Sequence, residues 1–382
     1  MKRLIAPVAL GVALALSACS AGSTTSEPQD SGVSKEADAA LAALEGKVFS
    51  KGPKGEEPAK AEEADLTAAE VEQVKAKKAT AAIVMHYGGN DWAAAQIDGL
   101  ESEFAKLGIQ VVAKTDANFK PDKQVSDIET VLVKKPSIIV SIPTDPVATA
   151  AAYKKAAAAG VKLVFMDNVP NGMTAGKDYV SVVSADNYGN GVTSAHLLAK
   201  AMGGKGEIGA IFHEADFFVT KQRYEGFTAT LKSDYPDIDI VESKGIAGPD
   251  FAGDAQNAAN AMLSKHPKLA GIWAVWDVPA EGVLAAARAG GRPDLKVATE
   301  DLGKNVAIAL AKDSLVVGLG AQRPFDQGVT EARLAAGALI GKQAPPYIAL
   351  SALPVDHSNV LEAWKQVYHQ DPPKFLTDSY KK

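Results

Sequence analysis

The sequence predicts an α/β protein with two lobes, each built on a parallel sheet covered by helices. From about Thr80 onward, short apolar runs alternate with amphipathic segments of helical length, a pattern typical of parallel α/β structure. The apolar runs are hydrophobic on both faces, as strands are when helices cover both sides of a sheet. The alternation passes through two successive sets, so we expect two lobes.

The predicted elements follow in order along the chain. A capped helix at 65–78 leads into the first strand. In the first set, strands are predicted at 81–85, 109–113, 137–141 and 162–166, with helices at 92–107, 123–134 and 147–159. In the second set, strands are predicted at 207–212, 238–243, 271–275, 297–299 and 316–321, with helices at 223–231, 254–265, 281–289 and 305–311.

The amino end has the form of an export signal. Two basic residues precede an apolar run at 4–16 that is too short to span a bilayer comfortably, and the small residues at 17–18 follow it. Cys19, the only cysteine in 382 residues, comes next. Leu-Ser-Ala-Cys resembles the bacterial lipobox, whose thiol is alkylated with diacylglycerol and becomes the new amino terminus. We therefore expect a lipoprotein signal peptide at 1–18 and lipidation of Cys19; an ordinary cleaved signal is the alternative.

The segment that follows Cys19 has few large apolar residues. It is rich in Ser, Gly, Pro, Glu, Lys and Ala, so it buries too little surface to offset its chain entropy. We expect residues 19–64 to form a flexible membrane tether, with at most a transient helix near 35–45.

The charge of the chain disfavours nucleic acid as a partner. Removing residues 1–18 leaves 38 basic against 46 acidic residues, so the formal net charge of -6 becomes -8. No segment after the signal approaches the ~20 consecutive apolar residues of a membrane span. The lipid is therefore the expected contact with the membrane.

Aromatic and polar side chains follow the predicted strands. These stretches are 86–92 (HYGGNDW), 142–145 (IPTD), 167–168 (DN), 213–218 (HEADFF), 276–277 (WD), Asp301 and 322–324 (QRP). Ligands of open parallel sheets bind beyond the carboxyl ends of the strands. A flat ring such as Trp92 or Trp276 covers the C–H face of a sugar, while Asp, Asn and Arg pair with its hydroxyls. The sequence therefore favours a sugar or polyol site.

Short motifs spread over about 80–354 carry a family resemblance. In order, they are Asp98-Gly99, 143–145 (PTD), Gly160-Val161, 184–187 (SADN), Arg223 with Gly226-Phe227, Asp277, Asp301 with Gly303, and Gln322 with 326–328 (DQG). In this order and spacing the chain resembles the periplasmic ribose-binding-protein-like family, the type I solute-binding proteins of sugar ABC importers.

The resemblance implies the type I periplasmic binding protein fold. Two Rossmann-like, doubly wound lobes are joined by three crossover segments and close on ligand like a hinge. The N-terminal lobe is expected at 65–186 plus 322–350, and the C-terminal lobe at 187–321 plus 351–382.

The resemblance also implies ligand-binding residues. They are Asn90, Trp92, Asp167, Asn168, Arg223, Phe251, Trp276, Asp277, Asp301 and Gln322. Asn168 stands where the family usually has arginine, and Trp276 where asparagine is usual. Fewer guanidinium groups and more aromatic wall favour a ligand other than ribose, such as a smaller sugar or a linear polyol.

Several neighbouring residues have two readings. Asp186 and Asn187 either hold the crossover between lobes or touch ligand, and we favour the first. Asp145 is either a helix cap or a ligand contact. Phe217 and Phe218 belong either to the core or to the cleft.

The implied function is extracytoplasmic capture of a sugar or polyol for an ABC permease and, through it, an ATPase subunit, by a monomeric protein. A ligand-presenting subunit of a membrane chemoreceptor or sensor is the alternative, because both dock closed lobes onto a partner. An enzyme is not supported. The stretch 204–209 (GKGEIG) matches a dinucleotide fingerprint but precedes a strand, and the six histidines show no metal-ligand spacing. We expect no catalytic residue, cofactor or metal.

Overall fold

The computed structural model describes residues 32–381 and confirms two doubly wound α/β lobes. The strands are β1 (Thr80–Met85), β2 (Gln110–Asp116), β3 (Ile138–Ser141), β4 (Lys162–Met166), β5 (Ser181–Ala185), β6 (Gly206–His213), β7 (Ile238–Ile246), β8 (Leu269–Ala274), β9 (Lys296–Glu300), β10 (Val316–Ala321), β11 (Tyr347–Leu350) and β12 (Leu353–Val355).

The helices lie between these strands. They are α1 (Gly32–Leu44), α2 (Ala68–Ala76), α3 (Asp91–Lys106), α4 (Pro121–Val133), α5 (Ala150–Ala158), α6 (Asn187–Met202), α7 (Phe218–Asp234), α8 (Phe251–Lys265), α9 (Asp277–Ala289), α10 (Lys304–Ala311), α11 (Pro324–Leu339), α12 (Val360–Tyr368) and the single turn α13 (Lys374–Thr377). A short 3-10 helix at Ala61–Ala64 precedes α2.

Each lobe has one six-stranded sheet. The first sheet has the order β11-β5-β4-β3-β1-β2, and the second has the order β12-β10-β9-β8-β6-β7. All pairs are parallel except β10 with β12. Successive residues of β1 pack into separate hydrophobic clusters, Ile83 on one face and Val84 on the other. This two-sided burial is what the apolar runs of the sequence predicted.

The chain crosses between the lobes three times. It leaves the first sheet after β5 and enters α6, which packs on the second lobe; it returns after β10 into α11, which packs on the first lobe. The third passage joins β11 of the first sheet to β12 of the second. All three crossovers lie at the β11/β5 and β12/β10 edge, so this edge is the hinge side of the molecule.

Two helices of the first lobe pack at very close range. A Cβ placed on Gly99 of α3 would lie 2.2 Å from the carbonyl oxygen of Phe325, and one on Gly328 of α11 would lie 2.4 Å from that of Gln96. Only glycine allows the two backbones to approach this closely. Two of the family markers are thus explained by helix packing.

The expectation of a flexible tether is wrong for residues 32–64. Helix α1 packs on α6 with Ala37 fully buried, and Lys200 pairs with Asp38 at 2.6 Å. Farther along, Ala59 bridges β11 of the first sheet. The physical reason is that small and polar residues suffice when the folded body supplies the apolar surface and the hydrogen-bond partners. We call residues 32–64 the strap.

The strap is held at the first crossover by one carboxylate. The backbone N–H groups of Phe49 and Ser50 donate to Asp186 at 2.9 and 2.8 Å, and the same carboxylate caps α6 by accepting from Gly189 N. The Ser50 hydroxyl in turn accepts from Tyr188 N at 3.0 Å. Asp186 therefore holds the crossover, as favoured from the sequence.

The expected signal peptide and the lipidated Cys19 lie outside the described residues. Within residues 32–381, no helix is both long and apolar enough to cross a membrane.

Candidate ligand-binding cleft

A cavity of about 270 Å³ lies between the lobes, where the carboxyl ends of strands from both sheets meet. The side chains that line it follow β1, β2, β3 and β4 in the first lobe, and β6, β7, β8, β9 and β10 in the second. This is the position at which open parallel sheets bind ligands. The volume lies just under the roughly 300–1,000 Å³ of drug-sized pockets, so the cavity suits a small ligand.

One buried aspartate lies directly after a strand in each lobe. Asp167 follows β4 with φ of 54°, and Asp301 follows β9 with φ of 65°. Left-handed backbone is unfavourable for a residue other than glycine and is found preferentially at functional sites. Here it turns a carboxylate of each lobe into the cavity.

The two carboxylates differ in their partners. Asp167 Oδ1 accepts from the Ser184 hydroxyl, and its Oδ2 has no protein partner among the described residues. Burial raises the pKa of Asp167 to about 6, although Ser184 and Arg223 favour the charged form. Asp167 therefore has an oxygen free for a ligand hydroxyl and is largely ionised at neutral pH.

Asp301 is already engaged by the protein. Arg223 Nη1 and Nη2 donate to its two oxygens at 2.9 and 3.2 Å, and Gln322 Nε2 donates to Oδ1 at 3.1 Å. Arg223 also donates to Asn187 Oδ1 and to the carbonyl of Val275. Because Arg223 is only 2% exposed, this network of protein groups fixes its position and compensates its charge.

Behind this network lies a second buried acid. Glu300 Oε1 accepts from the Ser194 hydroxyl at 2.7 Å, and Trp273 Nε1 donates to the same hydroxyl at 3.0 Å. Glu300 Oε2 has no partner among the described residues. Burial raises the pKa of Glu300 to about 8 against the pull of Arg223. Glu300 is thus mostly protonated at neutral pH and leaves Asp301 as the charged partner of Arg223.

Aromatic rings form much of the remaining wall. Eight of the 21 lining side chains are rings: His86, Tyr87, Trp92, Phe119, His213, Phe217, Phe251 and Trp276. Burial lowers the pKa of His86 to about 3 and also lowers that of His213. Both histidines are therefore neutral rings at physiological pH.

The cavity brings together eight of the ten predicted ligand residues. These are Asn90, Trp92, Asp167, Arg223, Phe251, Trp276, Asp301 and Gln322. The other two do not line it. Asn168 is buried and donates to the carbonyl of Pro143, and Asp277 is buried at the start of α9, where its Oδ1 accepts from Val278 N.

The structure also shows the contacts of the neighbouring residues for which the sequence left two roles open. Asp145 accepts from Val147 N and Ala148 N in the turn before α5, whose N-cap position is Thr149, and it does not line the cavity. Phe217 lines the cavity and Phe218 does not. Asn187 lies at the hinge and reaches the cavity through Arg223 and, by way of the Ser184 hydroxyl, through Asp167.

Sequence reasoning missed four lining rings: His86, Tyr87, Phe119 and His213. His86 and His213 stood in the stretches noted after their strands, but no pattern separated a wall histidine from a loop histidine. Phe119 follows an edge strand that was predicted to end at 113, whereas β2 extends to Asp116. Had the strand been predicted to end at 116, Phe119 would have fallen in the loop directly after it, where the other lining residues were sought.

Among residues 32–381, no group of three or more His, Cys, Asp or Glu side chains is arranged to hold a metal ion.

Comparison with known proteins relates this fold to one family. Residues 81–343 match the model of a periplasmic binding protein domain. The ribose import binding protein RbsB of Salmonella typhimurium is 25% identical over 272 residues, which cover 70% of this chain and 86% of that protein.

Solved structures of other proteins have the same fold. A solute-binding protein of an ABC transporter from Agrobacterium vitis, with bound alpha-D-tagatopyranose, has a TM-score of 0.69 at 25% identity and covers 76% of this chain and 99% of its own. The arabinose-binding protein AraP of Geobacillus stearothermophilus shares the fold, with a TM-score of 0.66 at 22% identity over 74% of this chain and 98% of its own. The two lobes, the three crossovers and the family match together show that this chain belongs to the periplasmic binding protein family, among the ribose-binding-protein-like solute-binding proteins of sugar ABC transporters.

Proposed function

We propose that this protein captures a small neutral sugar or polyol between its lobes and delivers it, chemically unchanged, to the permease of an ABC importer. The observation that carries the proposal is the cavity itself. Its lining combines a free carboxylate oxygen, on Asp167, with aromatic rings from both lobes, among them Trp92 and Trp276. A hydroxyl donates to the carboxylate while the rings cover C–H groups, and this combination suits a polyhydroxylated ligand.

The roles of the lining residues follow from their partners. Asp167 and Gln322 offer acceptor oxygens, and Asn90 offers its amide nitrogen because its Oδ1 caps α3 at Ala93 N. Trp92, Phe251 and Trp276 form the apolar walls. Arg223 and Asp301 present a fixed, internally paired edge. Asn168 and Asp277, which lie outside the lining, act by positioning the loops beside the cavity.

We further propose that Cys19 carries a lipid that anchors the mature chain to the extracytoplasmic side of the cell membrane, which is either its periplasmic side or its outer face. The lipobox-like sequence supports this proposal. The protein acts as a monomer in this scheme. The lobes are 65–186 plus 322–350 and 187–321 plus 351–382, and the ATPase subunit is reached only through the permease.

Isothermal titration of the purified Cys19→Ala chain against pentoses, hexoses, deoxysugars, tetritols, pentitols and inositol tests ligand capture. We expect stoichiometric binding of at least one compound and its recovery unchanged. Conversion of the bound compound into a product would contradict the proposal, as would failure to bind any neutral polyhydroxylated compound.

A fractionation experiment tests the anchor. The unaltered chain is expected in the membrane fraction, and the Cys19→Ala chain in the soluble fraction with its thermal unfolding unchanged. Retention of the Cys19→Ala chain in membranes would contradict lipidation at this residue.

A further inference from the structure

The cavity has a polar end and an aromatic end, and the strand order sets their positions. The hinge lies at the β11/β5 edge of the first sheet and the β12/β10 edge of the second. Asp167, Asp301 and Gln322 follow β4, β9 and β10, which lie toward that edge. Phe119 and Phe251 follow β2 and β7, the strands farthest from it. The buried charged side chains of the lining therefore lie at the hinge end, whereas the mouth has aromatic rings flanked by the exposed side chains of Asn118 and Asp250.

Five rings at the aromatic end close into a circuit that we call the collar. Its centroid separations are 4.8 Å for His86–Phe119, 5.8 Å for Phe119–Phe251, 5.5 Å for Phe251–His213, 6.1 Å for His213–Phe217 and 6.1 Å for Phe217–His86. The Phe119–Phe251 and His86–Phe217 contacts join one lobe to the other. The collar thus surrounds the outer part of the cavity with ring surface from both lobes.

The collar offers few hydrogen-bond partners. Its polar atoms are the ring nitrogens of two histidines: His86 Nδ1 is buried without a partner among the described residues, and His213 Nδ1 lies 3.3 Å from the Thr220 hydroxyl. The rings of Phe119, Phe217 and Phe251 carry no polar atom. Ile142, Val219 and Val278 add aliphatic wall. At the hinge end, by contrast, Asp167 Oδ2 has no protein partner among the described residues, so a ligand hydroxyl has a strong acceptor there.

We propose that the ligand is a deoxysugar, oriented with its hydroxyls toward Asp167 and Gln322 and its deoxygenated edge inside the collar. This rests on the proposed function and deepens it. A hydroxyl that faces Phe119, Phe217 and Phe251 of the collar would lose its water partners and gain none, which is costly for a buried polar group. A methyl or methylene group in that position would instead bury apolar surface against the rings.

Matched sugar pairs that differ by one hydroxyl test the proposal. The purified Cys19→Ala chain is titrated calorimetrically with D-fucose and D-galactose, D-quinovose and D-glucose, L-rhamnose and L-mannose, and 2-deoxy-D-ribose and D-ribose. We expect the deoxy member of the best-binding pair to bind on the order of tenfold more tightly, which is the effect of one buried hydroxyl without a partner.

A collar variant measures the same preference from the protein side. Phe119→Asn introduces a hydrogen-bond partner into the collar, so the preference for the deoxy member should fall by on the order of tenfold. Tyr380→Asn is the matched control, since Tyr380 is a half-buried ring that does not line the cavity. It should leave the preference unchanged.

The outcomes separate the two proposals. Equal or tighter binding of the fully hydroxylated members, or tightest binding of a linear polyol, would overturn the deoxysugar inference while sugar or polyol capture stands. Choline is included because aromatic rings and carboxylates also bind small cations. Binding of choline with no sugar or polyol, or binding of none of these compounds, would overturn both.

Discussion

Asp167 and Asp301 occupy corresponding positions after β4 and β9, but their roles differ because their hydrogen-bond partners differ. Asp301 neutralises Arg223 inside the protein, whereas Asp167 keeps an oxygen for the cavity. A buried ion pair that loses one partner leaves an uncompensated charge, which costs about 3–5 kcal/mol. Substitution of Asp167 breaks no ion pair among the described residues, so it should not lower the free energy of unfolding in this way.

Substitution at the two aspartates should therefore separate binding from stability. Asp167→Asn should weaken ligand binding by about 10- to 100-fold, corresponding to a hydrogen bond to a charged group of about 1.5–3 kcal/mol, without lowering the free energy of unfolding. Asp301→Ala should lower that free energy by about 3–5 kcal/mol. Urea unfolding and calorimetry measure both. Equal loss of stability in the two variants would contradict the assignment.

Glu300 gives a pH-dependent prediction. Because burial raises its pKa to about 8 in the folded protein and an unfolded glutamate titrates near 4.3, the native state binds the extra proton between these values. Stability should fall as pH rises from about 5 to 8. Glu300→Gln removes this proton uptake, so the variant should gain up to a few kcal/mol relative to the parent at pH 8 and little at pH 5. Parallel pH profiles of thermal unfolding for the two chains would contradict the prediction.

At the scale of elements, the strap is the part of the chain whose structure differs most from expectation. Its two N–H groups bound to Asp186 and its bridge to β11 couple the amino-terminal segment to the hinge. Hydrogen bonds to a charged group contribute about 1.5–3 kcal/mol each. The strap therefore stabilises the body although its own sequence is polar.

Truncation tests the contribution of the strap. A chain beginning at Asp65 should unfold at a temperature several degrees below that of a chain beginning at Gly32, corresponding to about 2–5 kcal/mol. The chain beginning at Gly32 is the matched control for loss of the preceding residues, and it should unfold like the Cys19→Ala chain. Identical melting of all three would mean that the strap contributes nothing.

The strands could be predicted from the sequence, whereas the structure of the strap could not. Strand and helix periods are local, so the sequence alone suffices to assign the loops that carry Asp167, Trp276 and Asp301 to the carboxyl edge of a sheet. The strap depends on a carboxylate about 136 residues away in the chain. Its composition satisfies the criteria for disorder, and nothing local indicates that Asp186 can accept further hydrogen bonds. The ion pair of Arg223 with Asp301 could not be predicted either, because the two residues lie 78 positions apart in the chain.

At the scale of the whole molecule, the lobes touch across the cleft outside the cavity. Asp91 at the start of α3 accepts from the backbone N–H of Lys304 at the start of α10, at 2.8 Å. This contact joins the two lobes but uses no cavity residue. It therefore favours the closed arrangement independently of what is bound.

Removal of this contact should weaken binding indirectly. Asp91→Ala is expected to lower ligand affinity about 3- to 10-fold, because part of the binding free energy is then used to close the lobes. Asp122→Ala is the control, since Asp122 is also in the first turn of a helix but makes no contact between lobes. Calorimetry compares the two. Equal effects would assign the loss to the helix ends rather than to closure.

Closure itself can be measured between the lobes because the Cys19→Ala chain contains no cysteine. Lys120 and Ala247 are exposed residues near the mouth, one on each lobe, so spin labels on cysteines at these positions report the opening of the cleft. Without ligand we expect a broad or two-component distance distribution, since the collar rings and the contact of Asp91 with Lys304 are few contacts to hold the lobes together. With ligand, the distribution should narrow to the shorter distance, because a bound sugar joins Asp167 of one lobe to Phe251 and Trp276 of the other.

Labels at Val133 and Val147, both exposed on the first lobe, should keep one distance throughout. A ligand that binds tightly and leaves the first distribution unchanged would show that the lobes do not move, and the cavity would then have to fill by a route other than hinge opening.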